Sequence, residues 1–176
     1  MALVVFLRGV NVGGHRRFRP SLLARALGRY DVVNIGAAGT LVVRRLVSRQ
    51  SLRAALLGKL PPGTGIALCE GRELLRLERD DPFGLEPAPP GVVRFVSVLT
   101  RSRRTRPTLP VSLPATGDWL VRVIGSRGRL VFGEYRRHMR TIGHLGQLDK
   151  LFGVPATTRS WSTIRTVIGV LSGRRR

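Results

Sequence analysis

Apolar positions in this chain fall into short blocks, and the period inside each block predicts an element. Residues 3–7 are continuously apolar, with two valines and a phenylalanine, the composition of a strand covered on both faces. A glycine-bearing, basic stretch follows. Pro20 then sits where a first-turn proline is tolerated, and Leu22, Leu23, Ala26 and Leu27 recur at helical spacing until Gly28. Residues 32–35 and 41–44 predict two short strands joined through Gly36, Ala37, Ala38, Gly39 and Thr40, a run that fits a turn. Ser48 or Ser51 can cap a helix with Leu52, Ala55 and Leu56 on one face, ended by Pro61 and Pro62. Residues 65–69 predict another strand, which completes the order β-α-β-β-α-β of the ferredoxin-like arrangement.

The second half reads less regularly. Residues 72–78 predict a short amphipathic helix, and Asp80-Asp81-Pro82 and the proline-rich residues 86–90 mark a junction. Residues 92–99 are strand-like, 101–107 form a basic loop, and 119–124 and 129–132 predict a hairpin around Gly125-Ser126-Arg127-Gly128. Ile142, Leu145, Leu148, Leu151 and Phe152 mark one helix, closed by Gly153 and Pro155. Trp161, Ile164, Ile168 and Leu171 form the stripe of a last helix over residues 160–171, with a basic tail beyond. The expected fold is α+β: two ferredoxin-like subdomains of β-α-β-β-α-β type with mostly antiparallel sheets. The partition is 1–70 for the first subdomain, 71–90 for the helix and proline-rich junction, and 91–176 for the second.

Composition changes the picture through charge. The 176 residues hold 31 basic and 10 acidic side chains, a net charge of +21. Residues 1–60 carry 11 basic groups against one acid, 61–90 carry 3 against 6, and 91–176 carry 17 against 3. Two basic blocks thus flank a mildly acidic middle. A field of this sign attracts polyanions, nucleic acid and anionic lipid headgroups alike. All the basic residues but Lys59 and Lys150 are arginine, which a GC-rich codon bias would also favour. No apolar run approaches the ~20 residues that span a bilayer, and the first residues lack a signal-peptide pattern. The one cysteine, Cys69, lies in an apolar run and fits inert core in a reducing cytoplasm.

Two segments carry a family resemblance. LRGVNVGGH at residues 7–15 resembles the N-terminal signature of the bacterial family called domain of unknown function 1697. TTRSWSTI at residues 157–164, preceded by KLFGVPA, resembles that family's C-terminal signature, and the Asp81-Pro82-Phe83 junction falls at matching spacing. The resemblance spans nearly the whole chain and implies a compact protein built from ferredoxin-like units; it implies no activity. The chain departs from the pattern at Ala38 and Thr40, where the family's turn has polar residues, and at Ser160 and Ser162, which replace asparagines.

Candidate chemistry concentrates in residues 7–20. Gly9, Gly13 and Gly14 permit backbone conformations that other residues resist, and a helix start beside Arg16, Arg17 and Arg19 can hold an anion. The spacing is neither G-x-x-x-x-G-K-[ST] nor G-x-G-x-x-G, so no phosphate or cofactor motif is matched. The alternative is a tight connection whose glycines only relieve sterics and whose Asn11 bonds its own backbone. The expected ligand-binding set is Arg8, Asn11, Gly13, Gly14, His15, Arg16 and Arg17, joined from the C-terminal motif by Thr158, Arg159 and Thr163. Thr158 can equally cap the last helix, with Trp161 packed under it. No catalytic signature appears. His15, His138 and His144 have no partners at metal spacing, and no nucleophile elbow occurs. A second reading is non-specific nucleic-acid binding through Arg101, Arg103, Arg104 and Arg106, then Arg136, Arg137 and Arg140, then Arg174, Arg175 and Arg176. A third is a protein-interaction module.

Overall fold

The computed structural model describes residues 1–10 and 18–173. Two antiparallel sheets carry the fold, one of four strands and one of five, in a mixed α+β protein. The chain divides into two units, Met1–Leu75 with Arg165–Arg176, and Arg76–Ile164. The last helix is therefore shared between units, where the expected partition kept residues 91–176 together.

In the first unit the elements run β1 (Leu3–Arg8), α1 (Pro20–Ala26), a 3-10 turn, β2 (Val32–Ile35), β3 (Thr40–Val43), α2 (Arg49–Leu57) and β4 (Gly65–Glu70), followed by the start of α3 (Gly71–Arg79). The sheet order is β2-β3-β1-β4. Strand alternation sends Leu3, Val5, Leu7, Leu41, Val43, Ile66 and Leu68 to one face, where they pack with Leu23 and Leu27 of the α1 segment and Leu52 and Leu56 of α2. Val4, Phe6, Val42, Ala67 and Cys69, on the opposite face, are also fully buried. That double burial is why residues 3–7 read as continuously apolar. The turn between β2 and β3 depends on Gly39. Its φ is +73°, an added Cβ would stand 2.8 Å from the Leu7 Cβ, and its carbonyl accepts the Leu7 N–H at 2.8 Å.

The second unit departs from the β-α-β-β-α-β order expected of it. It runs β5 (Val92–Leu99), β6 (Val111–Leu113), β7 (Val121–Arg127), β8 (Leu130–Arg136), α4 (Thr141–Gly146), α5 (Leu148–Phe152) and β9 (Ala156–Ser160), leading into α6 (Trp161–Leu171). Its sheet order is β6-β7-β8-β5-β9. No crossover helix separates β5 from β6, because Pro107 and Pro110 place in the connection residues that a helix interior rejects. Gly125 lies inside β7 rather than in the turn expected of it, at an irregularity between Val123 and Gly125, and the chain reverses at Gly128 and Arg129. The helix expected over Ile142–Phe152 is broken into α4 and α5 around Gln147, with the weak helix formers Gly143 and Gly146 in α4. The core of this unit is Phe95, Leu99, Val121, Val123, Val131, Leu148 and Phe152.

Candidate functional site

The stretch expected to organise a site falls largely outside the described residues: Asn11, Gly13, Gly14, His15, Arg16 and Arg17 all lie there. Immediately C-terminal to it, Phe18, Arg19, Leu22, Leu23 and Ala26, with Lys59, line a cleft of about 580 Å³. α1 (Pro20–Ala26) and the two residues before it supply most of the lining, and Lys59, just past the Gly58 cap of α2, supplies the rest. Leu23 belongs to the core, while Leu22 and Ala26 face solvent on the same helix. An apolar wall therefore stands beside two cations, and the first turn of α1 contains no acid to neutralise them. An amphipathic anion fits that chemistry: apolar body against Phe18 and Leu22, charged end at Arg19 and Lys59.

Arg8 does not belong to this cleft. Alternation along β1 puts it on the face of Val4 and Phe6, whereas α1 covers the face of Leu3, Val5 and Leu7. Its register partner is Gly65, where an added Cβ would come 3.2 Å from the Arg8 Cβ.

Thr158, Arg159 and Thr163 belong to the second unit, and their polar groups serve its architecture. Residues 156–160 are a strand, paired along β5 with Ser97 opposite Thr158 and Val96 opposite Arg159. The Thr158 hydroxyl meets the Ser97 hydroxyl at 2.6 Å inside the sheet, so it does not cap α6. Ser160 takes that role: its Oγ accepts the Thr163 N–H at 3.3 Å and lies 2.9 and 3.0 Å from the hydroxyls of Ser162 and Thr163. Ser160 rather than Thr158 thus supplies the helix cap. Arg159 is half-buried, its Nη1 donates to the Thr158 carbonyl at 2.7 Å, and burial brings its pKa down to about 10. Trp161 packs edge-on against Phe83 at 5.3 Å, and Phe83 in turn against Phe132 at 6.1 Å.

The arginines of the nucleic-acid reading separate into tethered and exposed groups. In the 101–107 loop the Arg104 N–H donates to the Phe152 carbonyl at 3.0 Å, and the Thr105 hydroxyl donates to the Leu151 carbonyl. Arg103 donates to the Ser126 hydroxyl. The loop is tied to the end of α5 and to β7. The side chains of Arg101, Arg104 and Arg106 remain exposed. Arg136 stacks on Trp119, its guanidinium carbon 4.5 Å from the ring centroid, and Arg122 stacks on the same ring at the same distance. Arg137 and Arg140 are exposed. Arg174, Arg175 and Arg176 lie outside the described residues.

Sequence reasoning did not find Lys59 or the Trp119 stack. Lys59 follows a predicted helix end, and only the folded chain brings it to the residues of α1. The one available signal for the stack was the basic, aromatic surroundings of Trp119. No family model, curated protein or solved structure matches the chain.

Proposed function

We propose that this chain binds a small anionic ligand with an apolar body in the cleft formed by α1 and Lys59. The observation that carries the reading is the pairing of Arg19 and Lys59 with an accessible apolar wall of Phe18, Leu22 and Ala26, directly after the glycine-bearing stretch. The same reading takes the first unit as ferredoxin-like, supported by its element order and its β2-β3-β1-β4 sheet, and the chain as a relative of the domain of unknown function 1697 family, supported by the two signature segments. No reaction is part of it.

Anilinonaphthalene sulfonate, an apolar fluorophore with one anionic group, tests the cleft. Wild-type protein enhances its emission, and octyl phosphate displaces it better than inorganic phosphate does. The Arg19→Glu, Lys59→Glu double variant weakens dye binding by about tenfold or more, the loss of charge-assisted contacts from both cations. Both residues are exposed, so the near-ultraviolet circular dichroism stays unchanged. Undiminished dye affinity in the double variant overturns the assignment.

A further inference from the structure

In the second unit, the segment between β8 and α5 presents two apolar side chains to solvent. Met139 is 94% exposed and Ile142 80% exposed. They are not loose ends of a disordered loop, because the segment that carries them is held from behind. The Thr141 hydroxyl, on a side chain that is itself buried, donates to the Arg136 carbonyl at 2.6 Å. The Arg137 N–H donates to the Gly91 carbonyl at 3.0 Å, and Leu145 packs on the core of Phe95 and Phe152. The Thr141 N–H returns to the His138 carbonyl and the His144 N–H to that of Arg140, so residues 138–144 follow helical turns. Met139 and Ile142 thus stand exposed one turn apart as the apolar tip of this segment, while Leu145, three residues further on, turns to the core.

The surroundings of the tip are cationic. Arg137 and Arg140 are exposed beside it, Arg136 lies on Trp119 with Arg122, and no acid occurs between Glu134 and Asp149. Those two carboxylates are already engaged. Glu134 pairs with Arg94, and Asp149 accepts the Ala156 N–H at 2.9 Å. Asp118, next to Trp119, is an exposed acid that offsets one of these charges.

We propose that this tip is a docking surface for an anionic lipid bilayer, with Met139 and Ile142 entering the headgroup layer and Arg137 and Arg140 meeting lipid phosphates. Two exposed apolar side chains in one segment with exposed Arg137 and Arg140 match the two forces available there, apolar burial at the interface and attraction to negative headgroups. Nucleic acid uses the cations and stacks bases on aromatic rings, and it leaves aliphatic Met139 and Ile142 without a role. A stable protein interface needs about 800 Å² per partner, far more than a two-residue tip offers. The surface is peripheral: among the described residues no helix is long and apolar enough to cross a membrane.

Co-sedimentation with vesicles tests the proposal independently of the cleft. The full chain sediments with phosphatidylcholine vesicles containing a one-third share of phosphatidylglycerol, and not with phosphatidylcholine alone. Met139→Ser with Ile142→Ser lowers the partition coefficient about tenfold, as expected when two apolar contacts are withdrawn. Arg137→Glu with Arg140→Glu lowers it by at least as much. Met139→Cys carrying an environment-sensitive fluorophore shifts to the blue on the anionic vesicles, while buried Cys69 stays unlabelled. Equal partition of the Met139→Ser, Ile142→Ser variant and wild type overturns the proposal. So does an unshifted label, or binding to a single-stranded oligonucleotide that is tighter than binding to vesicles and indifferent to the serine substitutions.

Discussion

The two units build antiparallel sheets by different means. In the first, each element has its own local instruction. Two faces of apolar residues alternate through β1, β3 and β4, Pro20 opens α1, Ser48 caps α2, and glycines make the turn before β3. In the second, the sheet depends on close backbone approach. Gly133 sits opposite both Val123 and Phe95, and a Cβ added there would stand 2.0 Å from the Arg122 carbonyl oxygen. Gly125 lies under the Phe132 ring, where an added Cβ would be 2.6 Å from ring carbon. Local pattern specifies one sheet. Missing side chains at two positions let the other close.

Glycine substitutions should separate the two sheets most strongly. Gly133→Ala should cost about 3 kcal/mol or more, because the clash is with backbone that cannot rotate away. Native-state hydrogen exchange should show amides of β5, β7 and β8 losing protection, with β1 and β3 following only if the units unfold together. Gly39→Ala is the counterpart in the first unit, strained by φ +73° and by the Leu7 Cβ, and its loss should appear first in β1 and β3. Gly143→Ala should do the reverse. Nothing stands within 4 Å of the added methyl, so a helical glycine replaced by alanine gains about 0.5–1 kcal/mol. A Gly133→Ala loss no larger than that of Gly39→Ala would end the distinction between close backbone approach and local pattern.

The same difference decides what the sequence made legible. Every strand of the first sheet was expected within about a residue of its place, and Ser48 was one of two serines named for the cap, with Ser51 supplying the N–H. The second unit yielded β5 and the hairpin of β7 and β8 but hid β6 and β9. β6 is three residues, Val111–Leu113, between prolines. β9 is mostly polar and pairs with β5 across more than fifty residues, so no window of sequence contains its reason. The β-branched pair Thr157-Thr158 was its only local sign. Leu145, Leu148 and Leu151 following at helical spacing place Ile142 in a core stripe; in the fold Ile142 is exposed at the first turn of α4, while Leu145 and Leu148 reach the core. As for the candidate site, Arg19 was named beside a helix start, whereas Lys59 is brought to it by tertiary structure. The sequence places Thr158 and Thr163 among the site residues, and in the fold their hydroxyls are engaged in pairing and capping.

Caps give a smaller test of the same contrast. Ser48 accepts the Ser51 N–H at 3.0 Å, and Ser160 accepts the Thr163 N–H at 3.3 Å. Ser48→Ala should cost about 1 kcal/mol in chemical denaturation. Ser160→Ala should cost less through the longer cap bond, although its contacts with the Ser162 and Thr163 hydroxyls add to the loss. Asparagine at 160 keeps a side-chain oxygen that can accept the Thr163 N–H. If Ser160→Asn is as stable as wild type, residue 160 is set by capping; a larger loss than Ser160→Ala assigns it to the packing of hydroxyls.

The smallest expected effect concerns an ion-pair network that joins α2 to the end of β4. Arg49 reaches Glu70 at 3.2 Å and Glu73 at 3.4 Å and donates to the Leu68 carbonyl at 3.2 Å, and Arg72 also pairs with Glu70. The hydrogen bond from Arg49, aided by the charges of Arg72 and Arg49, holds the Glu70 carboxyl below the usual glutamate range. A carboxylate with a lower pKa folded than unfolded contributes stability above its unfolded pKa and loses it as pH falls through the folded value. Because the pair is partly solvated, Glu70→Gln should cost well under about 1 kcal/mol near neutrality. The difference from wild type should shrink to nothing as acidification protonates Glu70 in both states, and high salt should shrink it at neutral pH. A Glu70→Gln loss that persists undiminished in acid would mean that shape and hydrogen bonding at the β4 to α3 corner, rather than charge, hold α2 in place beside the cleft.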